Sequence, residues 1–183
     1  WKNFALKESS REVLYAKDER FVVTKAPSMD PGSHFAINAN SLMGESTNDK
    51  SILSVIHQMR QAGYACNQVD YICHSMGGCI LRYAEEANKG GFFYRSDNYG
   101  KGFVHKFITL HTPHNGSSFA NLLCDESENK AFRWLSSKFD YHYKEGGIYR
   151  PYDAVKDLRY KGGEKFHVTP LKSHLIAGGV DCS

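Results

Sequence analysis

The chain has 183 residues, 41% of them hydrophobic and 23% charged, which is enough for one domain with its own core. A formal charge of +3, with Lys and Arg scattered among acids, leaves no electrostatic footprint for nucleic acid, and no apolar run reaches the length that spans a bilayer. The five cysteines (Cys66, Cys73, Cys79, Cys124 and Cys182) form no C-x-x-C pair and the histidines form no H-E-x-x-H, so neither a thiolate zinc site nor a zincin is indicated.

In chain order, Glu19 to Ala26 reads as a β-branched strand closed by Pro27, and Met29 to Ser33 (M-D-P-G-S) reads as a turn-rich loop. From Phe35 to about Ala62 the apolar spacing is helical, carried by Phe35, Ala39 and Leu42 and then by Ile52, Val55, Ile56 and Met59. The polar stretch Gly44 to Asp49 divides it into two helices. Gln68 to His74 is a second strand. Met76 to Asn88 is a helix with Ile80, Leu81, Tyr83 and Ala84 on its apolar face and Gly90 as its stop. Val104 to Leu110 and Leu171 to Ala177 are a third and a fourth strand. Strands alternating with helices predict a mostly parallel sheet covered on both faces, an α/β fold of three α/β/α layers. In that setting Cys73 and Cys79 are expected as buried free thiols, with one disulfide among the five cysteines left open.

Between the third and fourth strands, Ser118 to Lys161 is long, irregular and aromatic, with Phe119, Phe132, Trp134, Phe139, Tyr141, Tyr143, Tyr149 and Tyr152. Ala120 to Phe139 can form one or two amphipathic helices. A long insertion at a sheet edge reads as a lid or substrate wall over residues 118–161, or as a small subdomain packed on its own aromatics.

The stretch Y-I-C-H-S-M-G-G (Tyr71 to Gly78) carries the chemistry. A strand, then x-Ser-x-Gly, then a helix is the layout of a nucleophile elbow, in which a strained turn lifts the serine hydroxyl above the sheet. The helix that follows points its N-terminus at the reacting oxygen, and the N–H of the residue after the serine, Met76, is half of an oxyanion hole. Gly77 fills the second small position of the pattern and Cys73 the first, where glycine is usual. A serine in this place is also a good helix N-cap and nothing more.

Beside these residues the chain resembles the α/β-hydrolase lipases, in particular the bacterial triacylglycerol lipases and their esterase relatives. His74, Ser75, Met76, Gly77 and Gly78 match their H-S-M-G-G elbow. His111 to Ser117 (H-T-P-H-N-G-S) is similar to their G-T-P-H-x-G-S phrase, with His111 in place of the glycine. Ser33 to Leu42 is similar to their F-x-x-N-A-x-x-L helix, and His174 to Gly179 to a late strand. The resemblance runs from about residue 20 onward, with the insertion poorly matched.

The resemblance implies a single partial domain over residues 1–183. The family's first strand and the loop that gives the second oxyanion donor are not found ahead of Trp1. The family's order is Ser, acid, His, and no histidine follows Asp181, the candidate acid. The 183-residue chain is therefore expected to be nearly inactive by itself, and its compartment stays open, since a signal peptide would precede Trp1. Asp70 lies inside the elbow strand and is a poor acid. His74 is expected to pack or hydrogen-bond beneath the elbow, and His114 to fix its proline-containing loop.

The implied activity is hydrolysis of carboxylic esters of lipid or acyl type through an acyl-enzyme on Ser75, with no cofactor and no metal. The partner is a small ester or lipid substrate, met in transient contact at a lipid interface. A deacylase of lipid-linked groups uses the same chemistry. The reading from another class is a non-catalytic binding protein that keeps the elbow as a structural turn.

Overall fold

Three short strands pair in parallel in the order first, second, last, and the helices that flank the first of them build the core. The structure, a computed structural model, describes residues 30–44, 51–87, 94–125, 142–160 and 172–176. The expected strand Glu19 to Ala26, the aromatics Phe132, Trp134, Phe139 and Tyr141, and Asp181 and Cys182 lie outside the described residues. So do the Gly90 stop and most of the polar stretch after Gly44.

Helix α1 (Phe35–Met43) and helix α2 (Ile52–Gln61) are the two halves of the helical pattern. The Ser51 hydroxyl caps α2 by accepting the Ser54 N–H at 3.2 Å. Strand β1 is Val69–His74, helix α3 is Met76–Ala87 and strand β2 is Val104–Leu110. The segment read as an insertion opens with helix α4 (Ser118–Asp125), runs through a hairpin of β3 (His142–Glu145) and β4 (Ile148–Pro151), and reaches the short helix α5 (Asp153–Asp157). Strand β5 is Lys172–Ile176. Among the described residues no helix is long and apolar enough to cross a membrane.

The hydrophobic periodicity explains the packing. Phe35, Ala39 and Leu42 recur at helical spacing and meet Cys79, Ile80, Leu81 and Ala84 of α3, over Cys73 and Phe107 of the sheet. Side chains as deeply buried as Phe35, Leu42, Ile80 and Phe107 each stabilise the fold by about 1.5–3 kcal/mol. The start of α1 is tied down by Asn38, which is buried. Its amide donates to the carbonyls of Asp30 and Ser33 at 2.9 and 3.0 Å, and its oxygen accepts the Asp30 N–H at 2.8 Å.

The sheet is parallel, as expected, but the described elements cover one face of β1. Cys73 faces the helices, whereas Asp70, Ile72 and His74 are exposed on the other side. The register slips by one residue at the start of the β1–β2 ladder, where Val69 faces Val104 and Asp70 faces Lys106. The extra residue, His105, holds Asp70 through Nδ1 at 3.0 Å.

The segment from α4 to α5 forms a satellite core of Ala120, Leu123 and Val155, with Tyr152 and Leu158 against it. The His142 ring contacts the Leu123 carbonyl at 3.1 Å, which fastens the hairpin to α4.

Candidate active site

One residue joins β1 to α3. Ser75 has φ +52°, in the left-handed region that is disfavoured for any residue with a Cβ. Three hydrogen bonds hold it there. Its N–H donates to the Leu110 carbonyl at 2.9 Å, extending the β1–β2 ladder by one rung. Its carbonyl accepts the Thr112 hydroxyl at 2.9 Å and the Gly78 N–H at 3.1 Å. A left-handed non-glycine residue costs about 1–3 kcal/mol and persists only where its surroundings over-determine it, as these bonds do.

The close approach of α3 to the loop after β2 falls at Gly78. A Cβ there would lie 2.3 Å from Thr112 Oγ1 and 2.5 Å from Thr112 Cγ2. At Gly77 a Cβ would meet only Cys73 Cβ, at 3.7 Å, an ordinary contact. The second small position of the elbow pattern is therefore roomy, and the position beyond it is the tight one. Cys73 fits its place because the strand and the helix leave space for one small side chain. Its Sγ lies 3.5 Å from the Ile108 carbonyl, and burial, with Cys79 nearby, pushes the thiol up to about 12. Cys79 is also pushed up to about 12 by burial, with its Sγ 3.4 Å from the Pro113 carbonyl. Both behave as small hydrophobes, and both are free thiols.

Ser75 is half-buried at the mouth of this turn. Among the described residues its hydroxyl has no hydrogen-bond partner, and neither has the Met76 N–H, the first amide of the twelve-residue α3. A serine hydroxyl thus stands beside an amide without a partner among the described residues, at the positive end of a helix, where negative charge is favoured.

The H-T-P-H-N-G-S stretch is the other wall. His111 has φ +51°, the conformation that accounts for a glycine at this place in the resembling phrase; histidine is among the residues that tolerate it. His114 Nε2 lies 3.1 Å from the buried Thr109 hydroxyl, and burial lowers the pKa of its imidazole, with Arg82 adding to the effect. Its place is structural, at the base of the loop. Gly116, with φ +83°, passes so close to the last described turn that a Cβ would lie 2.5 Å from the Arg159 carbonyl. The Ser117 N–H donates to the Leu158 carbonyl at 2.7 Å, which joins the loop to the segment after α5.

His74 is not beneath the elbow. It is exposed, and its ring meets the His111 ring edge-on with centroids 5.9 Å apart. The alternation of β1 sends Cys73 inward, so its neighbour His74 faces outward. Asp70 is five residues before Ser75, about 16 Å along the strand, and is engaged by His105. The structure thus brings together Ser75, Met76, Gly77 and Cys73 at one turn, with His74 at its outer side, while Asp181 lies outside the described residues. Sequence reasoning overlooked Thr112 as the lock of the elbow, although it sits inside the quoted phrase. It also overlooked Asp157, which reaches α1 from 122 residues away and accepts the Phe35 N–H at 2.7 Å. Among the described residues no group of three or more His, Cys, Asp or Glu could hold a metal ion. No protein-family model matches the chain, and no curated protein matches it either.

Proposed function

We propose that the chain carries the nucleophile and one oxyanion donor of a serine hydrolase that cleaves carboxylic esters of lipid or acyl type. Ser75 Oγ attacks the ester carbonyl, its proton passes to a general-base histidine, and the alcohol leaves to give an acyl-enzyme that water then hydrolyses. The Met76 N–H holds the oxyanion, and loss of one such donor typically costs about 3–4 kcal/mol of transition-state stabilisation. In this reading the sheet belongs to a three-layer α/β/α sandwich, and residues 118–161 form a lid over its C-terminal edge.

The single observation that carries the reading is the backbone of Ser75. It is left-handed, clamped by Leu110 and Thr112, and placed between a strand end and a helix start, beside a Met76 amide that has no partner among the described residues. A helix cap alone needs no such strain. The exposed Phe119 and Leu122 of α4 and Ile148 of β4 support an apolar acyl group.

A fluorophosphonate probe tests the nucleophile. The full-length protein should label covalently and the Ser75→Ala variant should not. If folded wild-type protein does not label, the elbow is a structural turn and the binding-protein reading replaces this one. A series of p-nitrophenyl esters of increasing chain length then reports the acyl preference, which should favour longer chains.

A further inference from the structure

We propose that His74 and His111 form a two-imidazole binding site for a borderline transition-metal ion such as Zn²⁺ or Cu²⁺, at the same sheet edge as Ser75. The two rings come from the C-terminal ends of neighbouring parallel strands, where β1 and β2 run side by side and His74 faces Leu110 in the register. Both side chains are exposed, and among the described residues neither imidazole has a hydrogen-bond partner, so each ring is available to a ligand.

The spacing fits an ion. Imidazole nitrogens bind zinc at about 2.0–2.1 Å, which sets two rings on one tetrahedral ion with centroids roughly 5–5.5 Å apart, a few tenths of an ångström closer than the two rings stand without it. The observed separation is 5.9 Å, with the planes at 72°. Rotation about the side-chain torsions is then enough to aim one nitrogen of each ring at a shared point. No backbone movement is required, and little is available. The Ser75 N–H to Leu110 bond and the Thr112 hydroxyl to Ser75 bond lock the two turns to one another, so the backbone positions that carry the two rings are fixed before the ion arrives.

Imidazole donors select zinc, copper and nickel over magnesium and calcium, which take oxygen ligands. With two protein ligands, water completes the coordination, and affinity follows the order Cu²⁺ above Ni²⁺ and Zn²⁺. The site does not depend on the hydrolase reading, since binding to the two rings needs no activity at Ser75.

Isothermal titration of the full-length protein with ZnCl₂, and separately with CuCl₂ and MgCl₂, tests the site. The wild type should bind Zn²⁺ and bind Cu²⁺ more tightly, with no heat from Mg²⁺. His74→Gln and His111→Gly should each weaken Zn²⁺ binding at least tenfold, whereas His57→Gln, on the exposed side of α2, should leave it unchanged. The His111→Gly variant places glycine in a left-handed turn, so its fold is preserved, and its circular dichroism should match the wild type. Zinc binding that survives both ring substitutions, or that is lost equally in His57→Gln, overturns the proposal.

Discussion

Ser75 and His111 stand side by side at the ends of two paired strands with nearly the same backbone conformation, φ +52° and +51°. The Ser75 N–H donates to the carbonyl of Leu110, the residue just before His111, and the hydroxyl of Thr112, just after it, donates back to the Ser75 carbonyl. Two sharp turns therefore share one hydrogen-bonded frame. Disturbing either turn loosens the position of the serine hydroxyl.

The left-handed turn at His111 has a direct consequence for substitution. His111→Gly or His111→Asn should change stability by less than about 0.5 kcal/mol, because both residues accept this conformation. His111→Val should destabilise by about 1–3 kcal/mol, since a β-branched residue is strained at positive φ. Chemical denaturation of the three variants checks the order.

The two glycines after the elbow should respond oppositely. Gly78→Ala places a methyl 2.3 Å from Thr112 Oγ1 and should cost about 1–3 kcal/mol through overpacking, with reduced probe labelling at Ser75 as the turn shifts. Gly77→Ala meets Cys73 at an ordinary 3.7 Å and should be neutral or stabilising by up to about 1 kcal/mol, because alanine is the better helix former. Equal destabilisation in the two variants would sink this account of the elbow's tight contact.

Asp157 joins distant parts of the chain. One carboxylate oxygen accepts the Phe35 N–H at 2.7 Å, and both lie about 3 Å from His34 Nδ1, at 3.0 and 3.1 Å. It thus caps α1 from α5. Asp157→Ala should cost about 1–2 kcal/mol, the usual loss for a helix N-cap. Amide hydrogen exchange should rise in the first turn of α1 and not in α2.

Burial lowers the pKa of His114 from its ordinary 6.5, so the folded state binds its proton less readily than the unfolded chain. The sign follows from linkage. The contribution of the neutral ring is complete above about pH 6.5 and is lost as pH falls through the lowered folded-state value. Unfolding free energy measured from pH 7.5 down to pH 5 should therefore fall in the wild type. The drop should be smaller in His114→Gln, which keeps a polar group near Thr109 but cannot charge.

Much of the fold could be read along the chain. The strand expected over Val104 to Leu110 has those bounds in the structure, and the helix expected from Met76 starts at Met76 and is helical through Ala87, where the described residues stop. These elements are legible because apolar periodicity is a local property. The hairpin of β3 and β4 went unread although Gly146 and Gly147, both at positive φ, mark a two-residue turn of the primed type. Its strands are four residues each and mostly exposed, so they carry little apolar alternation.

The candidate site divides in the same way. The order strand, serine, helix was visible in the sequence, because a turn between two periodic segments is a matter of neighbouring residues. Which glycine is indispensable, which hydroxyl locks the serine and which carboxylate caps α1 were decided by contacts between residues 34 to 122 positions apart: Gly78 with Thr112, Thr112 with Ser75, Asp157 with Phe35. Those distances have no trace in local periodicity. They exist only once burial of Phe35, Ile80 and Phe107 has brought α1, α3 and β2 together, and the polar groups left at the edges of that core then take the nearest partner.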